Sequence, residues 1–243
     1  MREYVCDLHI HTCLSPCASL DMSPRRIVAE AVMKGIDVIG ITDHNSAENV
    51  AAVRESADRK LAVLAGLEVT SSEEVHVLAL YDDLEAALDL QDLVYRNLPG
   101  ENDEDIFGIQ PIVNADDEVE GFSERLLIGA TTLPFKEIVG SIRSGGGLAL
   151  AAHVDREAFG VIGQLGFVPP DTELDGLEIS QATTREHGLK EYSMEGRYQI
   201  IRSSDAHRPE DIGKATTTFL LESPGCVEIG MGLRNEAGRR VVA

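Results

Sequence analysis

The sequence has no apolar run near the roughly 18 residues that a membrane-spanning helix needs, so a membrane role is excluded from the reading. Its N-terminus, Met1-Arg2-Glu3-Tyr4, runs straight into a strand-like segment without the apolar stretch of a signal peptide. The cytoplasm is therefore the expected compartment. Cysteine is scarce: Cys6, Cys13, Cys17 and Cys226, three of them crowded into the first strand and its loop. A disulfide framework would spread them along a short chain, so reduced thiols are expected, with Cys6 and Cys226 in the core. Positive charge is also short, with 21 basic against 42 acidic residues and a net charge of -21. Most of the excess reads as a solvated surface. It repels anionic membranes and extended nucleic acid at long range, and no basic, aromatic-interleaved stripe offsets it. A small phosphorylated substrate is not excluded, because bound metals can reverse the local sign. There is no Ser–His–Asp elbow, and Gly145-Gly146-Gly147 lacks the Lys-Ser/Thr that would make it a phosphate-binding loop.

What is present is an alternation of short apolar runs and amphipathic stretches. The 243 residues, 43% hydrophobic with a mean hydropathy of -0.06, fit one α/β barrel domain. Strand-like runs are Tyr4 to His11, Asp37 to Thr42, Leu61 to Val69, Val75 to Tyr81, Leu148 to His153, Gly176 to Ile179 and Tyr198 to Ser203. Several are continuous aliphatic blocks, as parallel strands buried on both faces should be. Ser23-Pro24 opens a helix that Lys34-Gly35 closes, and Ser46 to Lys60, Leu84 to Asn97 and Phe135 to Arg143 read as further helices. Alternating strands and helices imply a parallel sheet, and seven runs point to a closed barrel. Leu98 to Leu133, rich in acids and poor in periodic apolar residues, is expected to be a long excursion between the fourth and fifth strands, an insertion or a cap.

The chemistry concentrates in the histidines. In Asp7-Leu8-His9-Ile10-His11-Thr12, residues two apart share a strand face, so Asp7, His9 and His11 are expected to point the same way. Two imidazoles there could reach one or two metals, with Asp7 accepting a ligand's second ring N–H. Six of the seven histidines fall in or just past a strand-like run. His44 follows Ile41-Thr42-Asp43, His76 lies in the fourth run and His153 ends the fifth. Ser203-Ser204-Asp205-Ala206-His207 ends the seventh, and Glu68 ends the third in Gly66-Leu67-Glu68-Val69-Thr70. In parallel barrels such strand ends converge on one mouth. Imidazoles with a few carboxylates suit zinc, manganese or iron. His187 stands in a polar segment and reads as a surface residue.

These motifs, in this order, resemble those of the polymerase and histidinol phosphatase (PHP) superfamily, over Met1 to about Leu221. The resemblance implies a distorted seven-stranded (β/α)7 barrel and a phosphoesterase site with two or three divalent metal ions. By the same resemblance His9, His11, Glu68 and Asp205 would ligate a first metal, with Glu68 bridging to a second completed by His76 and His153. His44 and His207 would hold a third. At the position where many members complete that third site, this chain offers Cys17, with Asp21 as the oxygen alternative; a thiolate there would favour zinc or iron.

Two metals about 3.5–4 Å apart can clamp a phosphate and lower the pKa of a bound water, so hydrolysis by metal hydroxide is the expected chemistry. Arg156 and Arg208, just past His153 and His207, are candidates for the phosphate, and Asp43, His44 or His207 for protonating the leaving oxygen. A phosphomonoester of a small metabolite or nucleotide is the expected substrate, and exonucleolytic phosphodiester cleavage is the alternative. An amidohydrolase-like C–N hydrolase would favour a lysine at a strand end, where this chain has Glu68. A non-catalytic metal-binding module would be expected to have lost ligands.

Overall fold

A computed structural model describes residues 1–194 and 196–243. In chain order the elements are β1 (Arg2–Ile10), α1 (Pro24–Met33), β2 (Val38–Ile41), α2 (Val50–Ala57), β3 (Ala62–Thr70), β4 (His76–Tyr81) and α3 (Leu84–Arg96). Next come α4 (Glu104–Phe107), β5 (Pro111–Val113), β6 (Val119–Phe122), α5 (Phe135–Ser144), β7 (Leu148–Ala151) and α6 (Val161–Leu165). The chain then runs through β8 (Gly176–Ile179), α7 (Arg185–Tyr192), β9 (Ile200–Arg202), β10 (Thr217–Leu221), α8 (Cys226–Leu233) and β11 (Arg240–Val241). Helix limits follow local chemistry. Ser23 precedes Pro24 at the start of α1, Gly35 beyond its end has φ 71°, and α5 stops at Gly145.

The main sheet has nine strands in the order β11-β10-β1-β2-β3-β4-β7-β8-β9, not the seven expected. All seven strand-like runs are in it, and β10 and β11 add an antiparallel flap along the first half of β1. It is nearly closed: beyond β9, Ala206 bridges to Ile10, and the His11 N–H donates to the Ala206 carbonyl at 3.0 Å.

Among the seven strand-like runs, the expectation of a parallel sheet is overturned at β4. β4 runs antiparallel to both β3 and β7. Only residues 71–75 separate β3 from β4, too few for a parallel crossover, which needs about a dozen residues or more. The turn is fastened by the Ser71 hydroxyl, which accepts from the Glu73 and Val75 N–H groups. The reversal matters for the site. It brings His76, the first residue of β4, opposite Thr70 at the end of β3.

Two apolar layers fix the sheet. Outside, α1, α2, α3 and α5 bury Ile27, Val53, Leu90 and Ile138 against Ile39, Leu67, Val77 and Ala149. On the other face Leu8, Leu64, Leu78, Leu80 and Leu150 pack with Phe219 of β10 and Ile229 of α8. Leu8 belongs to that second layer and Ile10 to the first, with a register shift in the β1–β2 pairing between Asp7 and Ile10. Such a bulge re-aims side chains. Gly40 and Gly66 face backbone so closely that a Cβ would lie 2.5 Å from the Leu8 and Ala79 carbonyl oxygens respectively.

Between Leu98 and Leu133 the chain forms α4 and the β5–β6 hairpin, a sheet of its own. Asn45, at φ 53°, donates to the Leu127 and Gly129 carbonyls and accepts from the Thr70 N–H. Asn49 donates to the Pro111 carbonyl and accepts from the Val113 N–H. The excursion is thus tied by buried amides to the loop that follows β2.

Candidate metal centre

The ends of β1, β2, β3, β7 and β9 and the start of β4 meet at one mouth, and six of the seven histidines gather there around Glu68. One carboxylate oxygen of Glu68 lies 2.7 Å from His76 Nδ1, 3.1 Å from His153 Nε2 and 3.4 Å from His9 Nε2. The other lies 3.0 Å from His44 Nδ1 and 3.5 Å from His11 Nε2. Asp205 Oδ1 stands 3.2 Å from both His9 Nε2 and His11 Nε2, which are themselves 3.1 Å apart. His207 Nδ1 lies 3.6 Å from that same oxygen.

Three groups have ligand atoms within 4.8 Å of one another: His9, His11 and Asp205; His44, Glu68 and His76; and His11, His44 and His207. They share His11 and His44, so the mouth holds one continuous cluster. His187 alone stands apart, exposed on α7.

The donor set suits divalent cations. Glu68 Oε2 and His44 Nδ1 are buried and 3.0 Å apart, yet neither makes a hydrogen bond. Buried polar atoms without partners are costly, and a cation between them would remove that cost. The electrostatics agree. Burial raises the Glu68 carboxyl, but His76, His9 and His44 pull it well below the usual range. Burial lowers His9, but Glu178, Asp205 and Glu68 lift it well above its ordinary value. His11 is driven well down by burial and by the neighbouring His207 and His44. Imidazole with carboxylate fits zinc, manganese or iron.

Two residues of the cluster have left-handed backbone, His153 at φ 28° and Asp205 at φ 50°, values uncommon for non-glycine residues.

Several expectations are corrected. Asp7 does not support a histidine: its carboxylate accepts from the Ser204 and Gly213 N–H groups. The register shift in the β1–β2 pairing beyond Asp7 is the reason the simple alternation fails. Asp43 is not placed to protonate a leaving group. It is fully buried and accepts from the Thr12 N–H at 2.7 Å, the Thr12 hydroxyl at 2.7 Å and the Ser15 hydroxyl at 2.6 Å. Of the two alternatives in the first loop, both exposed and neither in a ligand group, Cys17 has His44 and His207 as neighbours. Burial raises the Cys17 thiol, but hydrogen bonding to His207 and His44 brings it down to about 7.

The two arginines differ. Arg156 donates to Asp205 Oδ2 at 2.7 Å with its side chain partly exposed at the mouth. Arg208 is exposed and makes no ion pair among the described residues.

Sequence reasoning missed Glu178 and Ser15. Glu178 Oε2 lies 2.9 Å from His9 Nδ1, and Ser15 Oγ 3.0 Å from His11 Nδ1. A charged residue inside the apolar run Gly176-Leu177-Glu178-Ile179 was the available signal. Phe159, also missed, stacks on His76 with ring centroids 4.4 Å apart.

The sequence model of the PHP domain matches residues 7–164. The chain belongs to the PHP domain family. Its His, Glu and Asp cluster could hold divalent metal ions. Among curated proteins no sequence matches the chain.

Solved structures share the fold. The lesion-specific endonuclease PfuEndoQ from Pyrococcus furiosus superposes with a TM-score of 0.74 at 17% identity, covering 98% of this chain and 57% of that one. This chain therefore spans little more than half of that relative. PsfC from Pseudomonas syringae gives 0.63 at 14% identity, with 100% and 92% coverage. An amidohydrolase from Chromobacterium violaceum gives 0.57 at 18% identity, with 87% and 90% coverage.

Proposed function

We propose that residues 1–243 form a single PHP-type domain that hydrolyses a phosphomonoester of a small metabolite or nucleotide. The observation that carries the reading is Glu68: one buried carboxylate whose two oxygens together face five imidazoles, as a carboxylate shared between two metal ions would. Metal ions held there would supply Lewis-acid charge to the phosphate and an activated water.

The rest falls to the chain's own residues. His9, His11 and Asp205 hold one end of the cluster, and His76 and His153 the other. His44, His207 and Cys17 form a third, more open group. Arg156, anchored by Asp205 on one side, offers its remaining N–H donors to a phosphate oxygen. Asp43 builds the first loop, so a proton for the leaving oxygen is left to His44 or His207.

The endonuclease likeness supports a second reading, phosphodiester cleavage in a nucleic acid. Against it stands the excursion beside the mouth, which carries nine acidic residues and one arginine between 98 and 133. Such a wall repels a polyanion more than a small phosphate. A screen of sugar phosphates, nucleotides, bisphosphates and dinucleotides, and of a duplex with an abasic lesion, with zinc, manganese and iron each supplied, decides between them. Turnover of monoesters alone supports the first reading. Cleavage of the dinucleotides or the lesion duplex without monoester turnover replaces it with the second.

A further inference from the structure

We propose that Glu178 is the positioning residue of the cluster, setting which ring nitrogen His9 presents and holding the strained backbone of His153. This rests on the metal-dependent reading above and adds a residue that no sequence motif marks.

The argument is one of donors and acceptors. Glu178 Oε2 lies 2.9 Å from His9 Nδ1, the geometry of a carboxylate oxygen accepting an imidazole N–H. With a metal bound, His9 would keep its Nδ1–H toward Glu178 and present the Nε2 lone pair to the metal. That lone pair faces His11 Nε2, Asp205 Oδ1 and Glu68 Oε1, all within 3.4 Å. His11 is fixed the same way by a neutral relay: the Ser15 hydroxyl spends its proton on Asp43, so it must accept from His11 Nδ1–H. Four lone-pair atoms thus converge on one point.

Glu178 does more than orient one ring. The same Oε2 accepts the backbone N–H of His153 at 3.3 Å, at a residue whose φ of 28° needs support from its surroundings. One buried side chain therefore joins ligands from both ends of the cluster. Its place in the middle of β8, between Leu177 and Ile179 in the outer apolar layer, keeps it rigid.

The test is zinc affinity, measured by chelator competition on the purified chain, together with nitrogen-15 spectra of its histidines. Zinc-loaded wild type should show His9 protonated at Nδ1 and metal-bound at Nε2. Glu178→Ala should lower zinc affinity roughly 10–100-fold, the usual cost of losing a partner behind a ligand. Glu178→Gln, whose amide oxygen still accepts both N–H groups, should recover most of that loss and keeps the result readable if the alanine variant folds poorly. Unchanged affinity in Glu178→Ala, or metal on His9 Nδ1, would overturn the proposal. An equal loss in both variants would also overturn it, making Glu178 a ligand. A wild type that binds no zinc, manganese or iron at all would instead bring down the metal-dependent reading itself.

Discussion

The cluster has a buried floor and an open rim, and the two are built differently. His9, His11, Glu68, His76 and His153 are all nearly inaccessible, lie on strands or just beyond them, and are braced by neighbours such as Glu178 and Ser15. Cys17, Arg156, His207 and Arg208 sit on loops, and their side chains are partly or largely exposed. The floor is held by the hydrogen bonds of Glu178 and Ser15 to its histidines and by the apolar layers on both faces of the sheet. Loop residues on the rim can change partners when a substrate arrives. Chemistry that needs fixed geometry belongs to the floor, and recognition to the rim.

The sharpest way to break this contrast is at Glu68. Glu68→Gln keeps the shape but removes the charge that faces five imidazoles. Removing one partner of a buried charge array costs about 3–5 kcal/mol of stability, and the neutral amide would hold metal ions far more weakly than the carboxylate. The variant should lose essentially all turnover in a phosphate-release assay while its circular dichroism stays that of the wild type. Near-normal turnover would mean that the floor is not where catalysis happens.

The floor was largely legible in the sequence, and the rim was not. Strand period and strand ends are local properties, so His9, His11, Glu68 and His153 could be placed from apolar runs alone. His76 was placed at the right mouth for an incomplete reason: its strand is antiparallel, and it is the start of β4, not the end, that reaches the site. The short turn between Thr70 and His76 carried that information. Asp7 and Asp43 were misjudged because their partners, Ser204, Gly213, Thr12 and Ser15, come from loops whose paths no periodicity describes. Glu178 was hidden because a charged residue in a buried strand announces burial without naming its partner.

At the rim the largest expected effect is at Arg156. Its contact with Asp205 leaves donors free, and a charge-assisted hydrogen bond to phosphate contributes about 1.5–3 kcal/mol. Arg156→Ala should raise KM for phosphomonoesters roughly tenfold or more, with kcat and metal content little changed. An unaltered KM would reduce Arg156 to a brace for Asp205.

Cys17 tests whether the third group is separable from the floor. Cys17→Ser keeps the size but gives up a thiol already lowered to about 7 by His207 and His44. Elemental analysis should show a loss confined to the third site, with the floor still loaded and activity down only a few-fold. Loss of all metal would show that rim and floor are one cooperative unit, which the sharing of His11 and His44 between ligand groups makes a real alternative.

The smallest effect expected is at the acidic excursion. Gly108, at the end of α4, packs near Pro16 in the loop that carries Cys17, so the exposed Asp103, Glu104 and Asp105 stand close to the mouth. They touch nothing in the floor, and their influence is through the field alone. At about 0.15 M salt the screening length is roughly 8 Å, so neutralising all three should change monoester turnover very little. Dinucleotide turnover, by contrast, should rise several-fold at low ionic strength and fall back as salt is added. A rise that persists in high salt would point to a steric gate instead of a repulsive one. No rise at any salt would leave selection between small phosphates and longer chains to the shape of the rim.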